Sequence, residues 1–254
     1  MAVTDTSYTA RFELPDLIER GRTQTLTCRT YRNGAAATPT IAGSRVSIYD
    51  ASNAAIVNLS AIILSGGFAA YSLASTVTTQ LALEMGWRIE WDLVMPDTLS
   101  HVFRSEAALV RRRLYPAITD VDIARRVSAL DTARADVITG AENHQEKIDE
   151  AWIDLQWRLL NRGNRPNLVM SPAALREPHL YLTLALIFSD LAARGDADYA
   201  HQADQYRHAF ESAWSRVTFE YDADDDGQAD SNRRRAASPV TWLCGGRSQT
   251  WGPW

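Results

Sequence analysis

Polar and apolar residues alternate with a period of two along the first part of the chain. Residues 23–31 alternate in this way and break at Asn33-Gly34, a pair suited to the tight turn of a hairpin. Residues 45–49 alternate again and stop at the polar cluster from Asp50 to Asn53. Further strand-like runs occupy 55–59, 68–73, 87–94 and 100–103, and Met95-Pro96-Asp97-Thr98 reads as the turn between the last two. Short strands separated by regular turn signals predict an antiparallel β-sandwich or barrel over residues 1–112.

The period changes near Arg111-Arg112-Arg113-Leu114-Tyr115-Pro116. Beyond it the pattern is helical and predicts a bundle of about four helices over 113–221, so the fold class is α+β in two domains. Thr119 stands three residues before Asp122, a capping-box start for a helix reaching about Ala135. A second helix spans about 143–160. Ile148, Trp152, Leu155 and Leu159 form one apolar face, while Ile153, Trp157 and Leu160 make a second stripe. A helix apolar on two sides is sandwiched between neighbours, and one neighbour can be another subunit. Ser171 followed by Pro172 predicts the start of a third helix, kinked or delayed by Pro178, with Gly195 as its stop. Its run from Leu180 to Phe188 is apolar nearly all round, as a central buried helix should be. A fourth helix, about 198–217, aligns Tyr199, Gln202, Tyr206, Phe210, Ala213, Trp214 and Val217 on one seam.

Charge follows the same boundaries. Residues 1–118 carry 11 basic and 10 acidic groups, whereas residues 119–221 carry 11 basic and 16 acidic groups. The helical part is therefore acidic and lies between two arginine triplets, Arg111 to Arg113 and Arg233 to Arg235. A basic arm can pair with the acidic face of a second copy. The formal net charge of −5 argues against a general nucleic-acid binder. Cys28 and Cys244 follow no metal spacing and read as unpaired thiols of a reducing compartment. The first residues have no export-signal pattern, and the longest apolar run is too short for a bilayer, so a soluble product made in a cytoplasm is expected.

The candidate chemistry lies mostly near the end. Asp222, Asp224, Asp226, Gly227 and Asp230 match positions 1, 3, 5, 6 and 9 of a calcium loop of the EF-hand type. Position 12 is Arg233, where the loop needs a bidentate glutamate, and residues 217–221 resemble a strand. An acidic hairpin turn is thus preferred to a tight calcium site, with weak calcium binding left open. Trp87 and Trp91 share one side of a strand and belong to the core or, alternatively, to a sugar-binding surface. The histidines, at 101, 144, 179, 201 and 208, follow no HExxH or related spacing and are expected at the surface or partly buried. Without a GxSxG elbow, a P-loop or GxGxxG, no catalytic constellation forms, and an enzyme is not expected. Residues 222–254 form an acidic hairpin loop and an extended arm. From Ser231 onward the chain holds four arginines and no acid, with Trp242, Trp251 and Trp254, residue types that anchor interfaces.

The opening Tyr115-Pro116-Ala117-Ile118-Thr119-Asp120, the central helix around Leu180 to Phe188, the passage from Trp214 to Val217 into Tyr221-Asp222-Ala223-Asp224-Asp225-Asp226-Gly227, and the arginine-rich ending resemble the head-to-tail adaptor (connector) proteins of tailed bacteriophages. The resemblance covers roughly residues 115–254. It implies a homo-oligomeric ring, dodecameric in the family, in the neck of the virion between capsid and tail. Arg233, Arg234, Arg235, Trp242, Arg247, Trp251 and Trp254 would then belong to an arm gripping the portal protein. Ile153, Trp157 and Leu160 would face a neighbouring subunit, and the far side would receive a stopper or tail component. Genomic DNA would pass through the lumen without sequence-specific binding, and no membrane is involved. The strand-rich residues 1–112 depart from the short, helical adaptors common in the family and would suit either decoration of the ring's outer surface or contact with capsid. The competing reading is a calcium-assisted carbohydrate- or surface-binding module using Trp87, Trp91 and the aspartate loop.

Overall fold

The computed structural model describes residues 8–12, 14–133, 137–194 and 197–230, together with the backbone of 234–235. Contacts divide the chain into two compact units, Met1–Leu114 and Tyr115–Trp254, and the fold class is α+β.

The first unit contains strands β1 (Tyr8–Arg11), β2 (Asp16–Glu19), β3 (Gln24–Arg32), β4 (Ala35–Ala36), β5 (Thr40–Tyr49), β6 (Ala55–Ala61), β7 (Ile63–Ser65), β8 (Phe68–Leu73), β9 (Glu84–Val94) and β10 (Ser100–Val110). A single helical turn, α1 (Ser75–Thr78), lies between β8 and β9. One sheet has the order β1-β3-β8-β7, with β4 on β3; the other has the order β2-β10-β9-β5-β6. Leu26 and Cys28 of the first sheet and Val46, Ile48, Trp87, Ile89, Trp91 and Leu93 of the second share one buried cluster, so the two sheets form a sandwich around a common core. The burial of every second residue from Trp87 to Leu93 follows from the alternation of side chains across a strand.

The expected antiparallel sandwich is corrected at one edge, where β2 pairs with β10 in parallel, Ala107 opposite Asp16 and Val110 opposite Glu19. β10 also runs on past Phe103. Its charged residues Arg104 and Glu106 resemble a strand end in sequence, but Arg104 reaches across the sheet to Glu90 at 2.8 Å. A register shift at Ala107/Ala108 then lets both faces of the strand's end be buried. Asn33 and Gly34 have φ of 53° and 81° and close the β3–β4 hairpin, as their sequence requires. Buried Glu19 accepts from the Arg113 amide at 2.7 Å and pairs with Arg22 at 2.8 Å, tying the end of this unit to β2.

The second unit is built on α2 (Asp120–Arg126), α3 (Gln145–Asn161), α4 (Arg176–Ala192) and α5 (Ala197–Arg216). Thr119 and Asp122 form the predicted capping box. The helix ends at Arg126, however, well short of Ala135. Val127 takes an extended conformation, and a 3₁₀ turn at Ser128–Leu130 carries Leu130 into the cluster that also holds Ile123. The third helix likewise begins late. Pro172 opens a short 3₁₀ turn, Pro172–Leu175, and Pro178 falls in the first turn of α4, where its missing N–H costs no helical bond. Ser171 does not cap with its side chain; its hydroxyl accepts from the Glu220 amide at 2.8 Å. Leu182, Leu184, Ile187, Phe188 and Leu191 of α4 are buried, which makes it the central helix. The α4 helix ends at Ala192, and Gly195 lies outside the described residues. The α5 seam packs as patterned, with Phe210, Ala213, Trp214 and Val217 buried. No helix among the described residues is long and apolar enough to cross a membrane.

Candidate functional site

After α5 the chain turns into β11 (Thr218–Phe219), which pairs antiparallel with β12 (Arg234–Arg235), Thr218 opposite Arg235 and Phe219 opposite Arg234. The aspartate loop is therefore the tip of a hairpin, entered from a strand where an EF-hand loop is entered from a helix. Its root is held by Phe219 and Tyr221, both buried. Tyr221 bridges to Val169, its hydroxyl accepts from the Arg165 amide at 2.9 Å, and the Asp222 amide donates to Leu168 O at 3.0 Å.

Inside the loop, buried Asp222 accepts from the amides of Asp226 at 3.0 Å and Gly227 at 2.8 Å. Asp226 accepts from Gln228 at 2.7 Å, and Asp230 accepts from Ala223 at 3.0 Å. Asp225 and Gly227 have φ of 56° and 94°; Asp and Gly are the residue types that tolerate this region. Carboxylate oxygens of Asp222, Asp224 and Asp226 lie within 4.8 Å of one another, whereas Asp230 stands outside this group of three. The side chains thus serve the hairpin's own backbone first. Arg234 and Arg235, expected in an extended arm, have their backbone in the returning strand of the hairpin. Arg233, Trp242, Arg247, Trp251 and Trp254 lie outside the described residues.

The two stripes of α3 separate as their spacing predicts. Ile148, Trp152, Leu155 and Leu159 are buried, while Ile153 and Leu160 are half-buried and Trp157 is 42% exposed. An indole left at the surface beside two aliphatic side chains is a face suited to a partner. Arg158, next to it, lies over the Phe210 ring at 4.5 Å and pairs with Glu211 at 3.0 Å.

Trp87 and Trp91 are 2% and 0% exposed and belong to the sandwich core. They present no ring face to solvent, which removes the aromatic platform from the carbohydrate reading. Two histidines, expected at the surface or only partly buried, are fully buried as well. His144 bonds to Asp120 at 3.0 Å, and His179 lies against Trp152 with ring centroids 4.9 Å apart. His179 Nδ1 accepts from the Ala117 amide at 3.3 Å and Nε2 donates to Ile148 O at 2.9 Å, which fixes a neutral tautomer. Burial pushes its pKa down to about 4. In the first unit, burial pushes Asp16 up to about 6 against the opposing pull of the Ser105 hydroxyl, and pushes the Cys28 thiol up to about 12, leaving it unreactive at neutral pH.

A further surface was not legible from spacing. The last turn of α2 supplies Arg125 and Arg126, and the first turn of α4 supplies Arg176 and Glu177. Together with Asp122 and Tyr181 they line a cleft of about 440 Å³ within the helical unit. Arg126 lies over the Tyr181 ring at 5.5 Å, and Arg176 pairs with Asp122. Burial acts to raise the Asp122 carboxyl, but Arg176 and Thr119 outweigh it and hold it below the usual carboxylate range. The signal in sequence is only the Arg125-Arg126 pair, and the residues completing the cleft lie some fifty positions later.

No protein-family model matches the chain, and no curated protein matches it. Among solved structures it is similar to CopC from Methylosinus trichosporium OB3b, at 13% identity over 40% of this chain and 89% of that one, with a TM-score of 0.29. A similarity of that size has no bearing on what either unit binds.

Proposed function

We propose that the chain is a structural, non-catalytic head-to-tail adaptor of a phage-like virion. It forms a ring beneath the portal, joins it to the next neck or tail component and lets DNA pass. The observation that carries this reading is the two-sided α3. One face fills the core of the helical unit, and the other leaves Trp157, Ile153 and Leu160 at the surface, where a neighbouring copy can cover them. The hairpin adds a second support. Its root is anchored in the buried core, and the sequence beyond it carries Trp242, Arg247, Trp251 and Trp254. An arm of that composition, repeated around a ring, gains affinity through multivalency.

In this reading residues 1–112 are a separate β domain, suited to contact with capsid, and residues 113–221 are the ring-forming domain. The acidic balance of the helical part keeps the lumen from holding DNA tightly.

Because β12 belongs to the hairpin, truncation should follow Arg235 rather than precede it. A chain ending there is expected to keep its circular dichroism spectrum and melting temperature yet lose binding to the portal. Undiminished portal binding by the truncated chain would contradict the role of the arm.

A further inference from the structure

The arginine cleft between α2 and α4 is a cationic site in an otherwise acidic unit. Three guanidinium groups converge there against two carboxylates, Asp122 and Glu177. Asp122 is engaged by Arg176, and Glu177 stands 4.0 Å from Arg216, so both acids have basic partners. Arg126 lies over the Tyr181 ring at 5.5 Å, and Arg125 is exposed and makes no ion pair among the described residues. An arginine fixed by stacking keeps its donors directed outward at low entropic cost, which suits bidentate capture of a carboxylate.

The same unit carries a complementary group. Residues 222–230 hold five aspartates and no base. Asp222 is buried and spent on the hairpin's own amides, whereas Asp224 and Asp226 are exposed, Asp226 accepting from the Gln228 amide through one oxygen and keeping the other. Among the described residues, no arginine of the cleft pairs with either of them within one chain. The root of the hairpin is tied to the chain before α4, where Met170 N donates to Glu220 O at 2.9 Å and the Ser171 hydroxyl accepts from the Glu220 amide.

We infer that the cleft formed by Arg125, Arg126 and Arg176 receives the acidic hairpin tip, through Asp224 and Asp226, of a second copy of this chain. The inference rests on the adaptor reading and deepens it by naming the contact between adjacent subunits. Cleft and tip are different patches, so the contact is heterologous: each copy offers a tip to one neighbour and a cleft to the other, and a closing rotation gives a ring. Charge complementarity fixes the register, while the Trp157 face contributes apolar area.

The test uses two full-length variants, a cleft variant (Arg125→Glu with Arg126→Glu) and a tip variant (Asp224→Arg with Asp226→Arg), each assembled on the portal and counted by native mass spectrometry. Each variant alone opposes like charges and is expected to retain about tenfold fewer adjacent copies, or none. Mixed in equal amounts the two should recover the assembly, because the reversed cleft of one accepts the reversed tip of the other in alternation. A variant that merely misfolds cannot be rescued by mixing, and circular dichroism of each establishes its fold beforehand. Assembly of either variant at the unchanged level would overturn the inference, as would two folded, defective variants that do not rescue each other. Failure of the adaptor reading shows elsewhere, in the unaltered chain failing to assemble on the portal at all.

Discussion

His179 illustrates how a single side chain sets the pH range of the helical unit. Above about pH 6.5 its imidazole is neutral in both the folded and the unfolded chain and contributes no pH dependence. Between that value and the folded pKa of about 4, the unfolded chain takes up a proton that the buried ring refuses. Stability must therefore fall as pH drops through this window, by on the order of 2–3 kcal/mol at its lower end. The His179→Gln variant is expected to start less stable at pH 7, having lost a ring packed against Trp152, but to lose less on acidification. Denaturant midpoints at pH 7 and pH 4.5 for both chains measure the difference in slope. Equal slopes would remove His179 from the acid response. Asp16 acts in the opposite sense, since its raised pKa penalises the folded sandwich as pH rises through about 6.

Among the elements, α3 separates stability from assembly most cleanly. Its inner stripe is fully buried, so truncation there opens a cavity in the core. Its outer stripe is not, and Trp157→Ser is expected to change folding stability by less than about 1 kcal/mol while lowering the number of copies held on the portal. Thermal melting and native mass spectrometry of the same sample read the two effects separately, and unchanged copy number would assign the exposed indole no role. Both stripes were legible in the sequence because a 3.6-residue period places them without reference to anything distant. So were β8, the Asn33-Gly34 turn and the α5 seam, all set by local patterning. The short β1, β2 and β7 were not, since strands of three or four residues carry too few alternations to stand out. The parallel β2–β10 pair and the arginine cleft were equally hidden, because each joins residues far apart in sequence. The burial of His144 depended on the Asp120 carboxylate and the Thr139 hydroxyl, and that of His179 on the Ala117 amide and the Ile148 carbonyl, partners that spacing alone cannot supply.

At the scale of the molecule, the chain couples a β-sandwich to an acidic helical unit whose last element is a hairpin with a polar, strongly anionic tip. Among the described residues, the buried Glu19, His144, His179 and Asp222 are each engaged in hydrogen bonds that tie one element to another or a loop to itself. The described residues offer two surfaces, the outer face of α3 and the arginine cleft. Both suit the assembly role proposed above. The most direct measurement is native mass spectrometry of the purified chain mixed with its portal. The account predicts addition of one 28.3 kDa chain per portal subunit as a closed ring, lost when the chain ends at Arg235. A portal whose mass does not change at micromolar excess of the folded chain would contradict it.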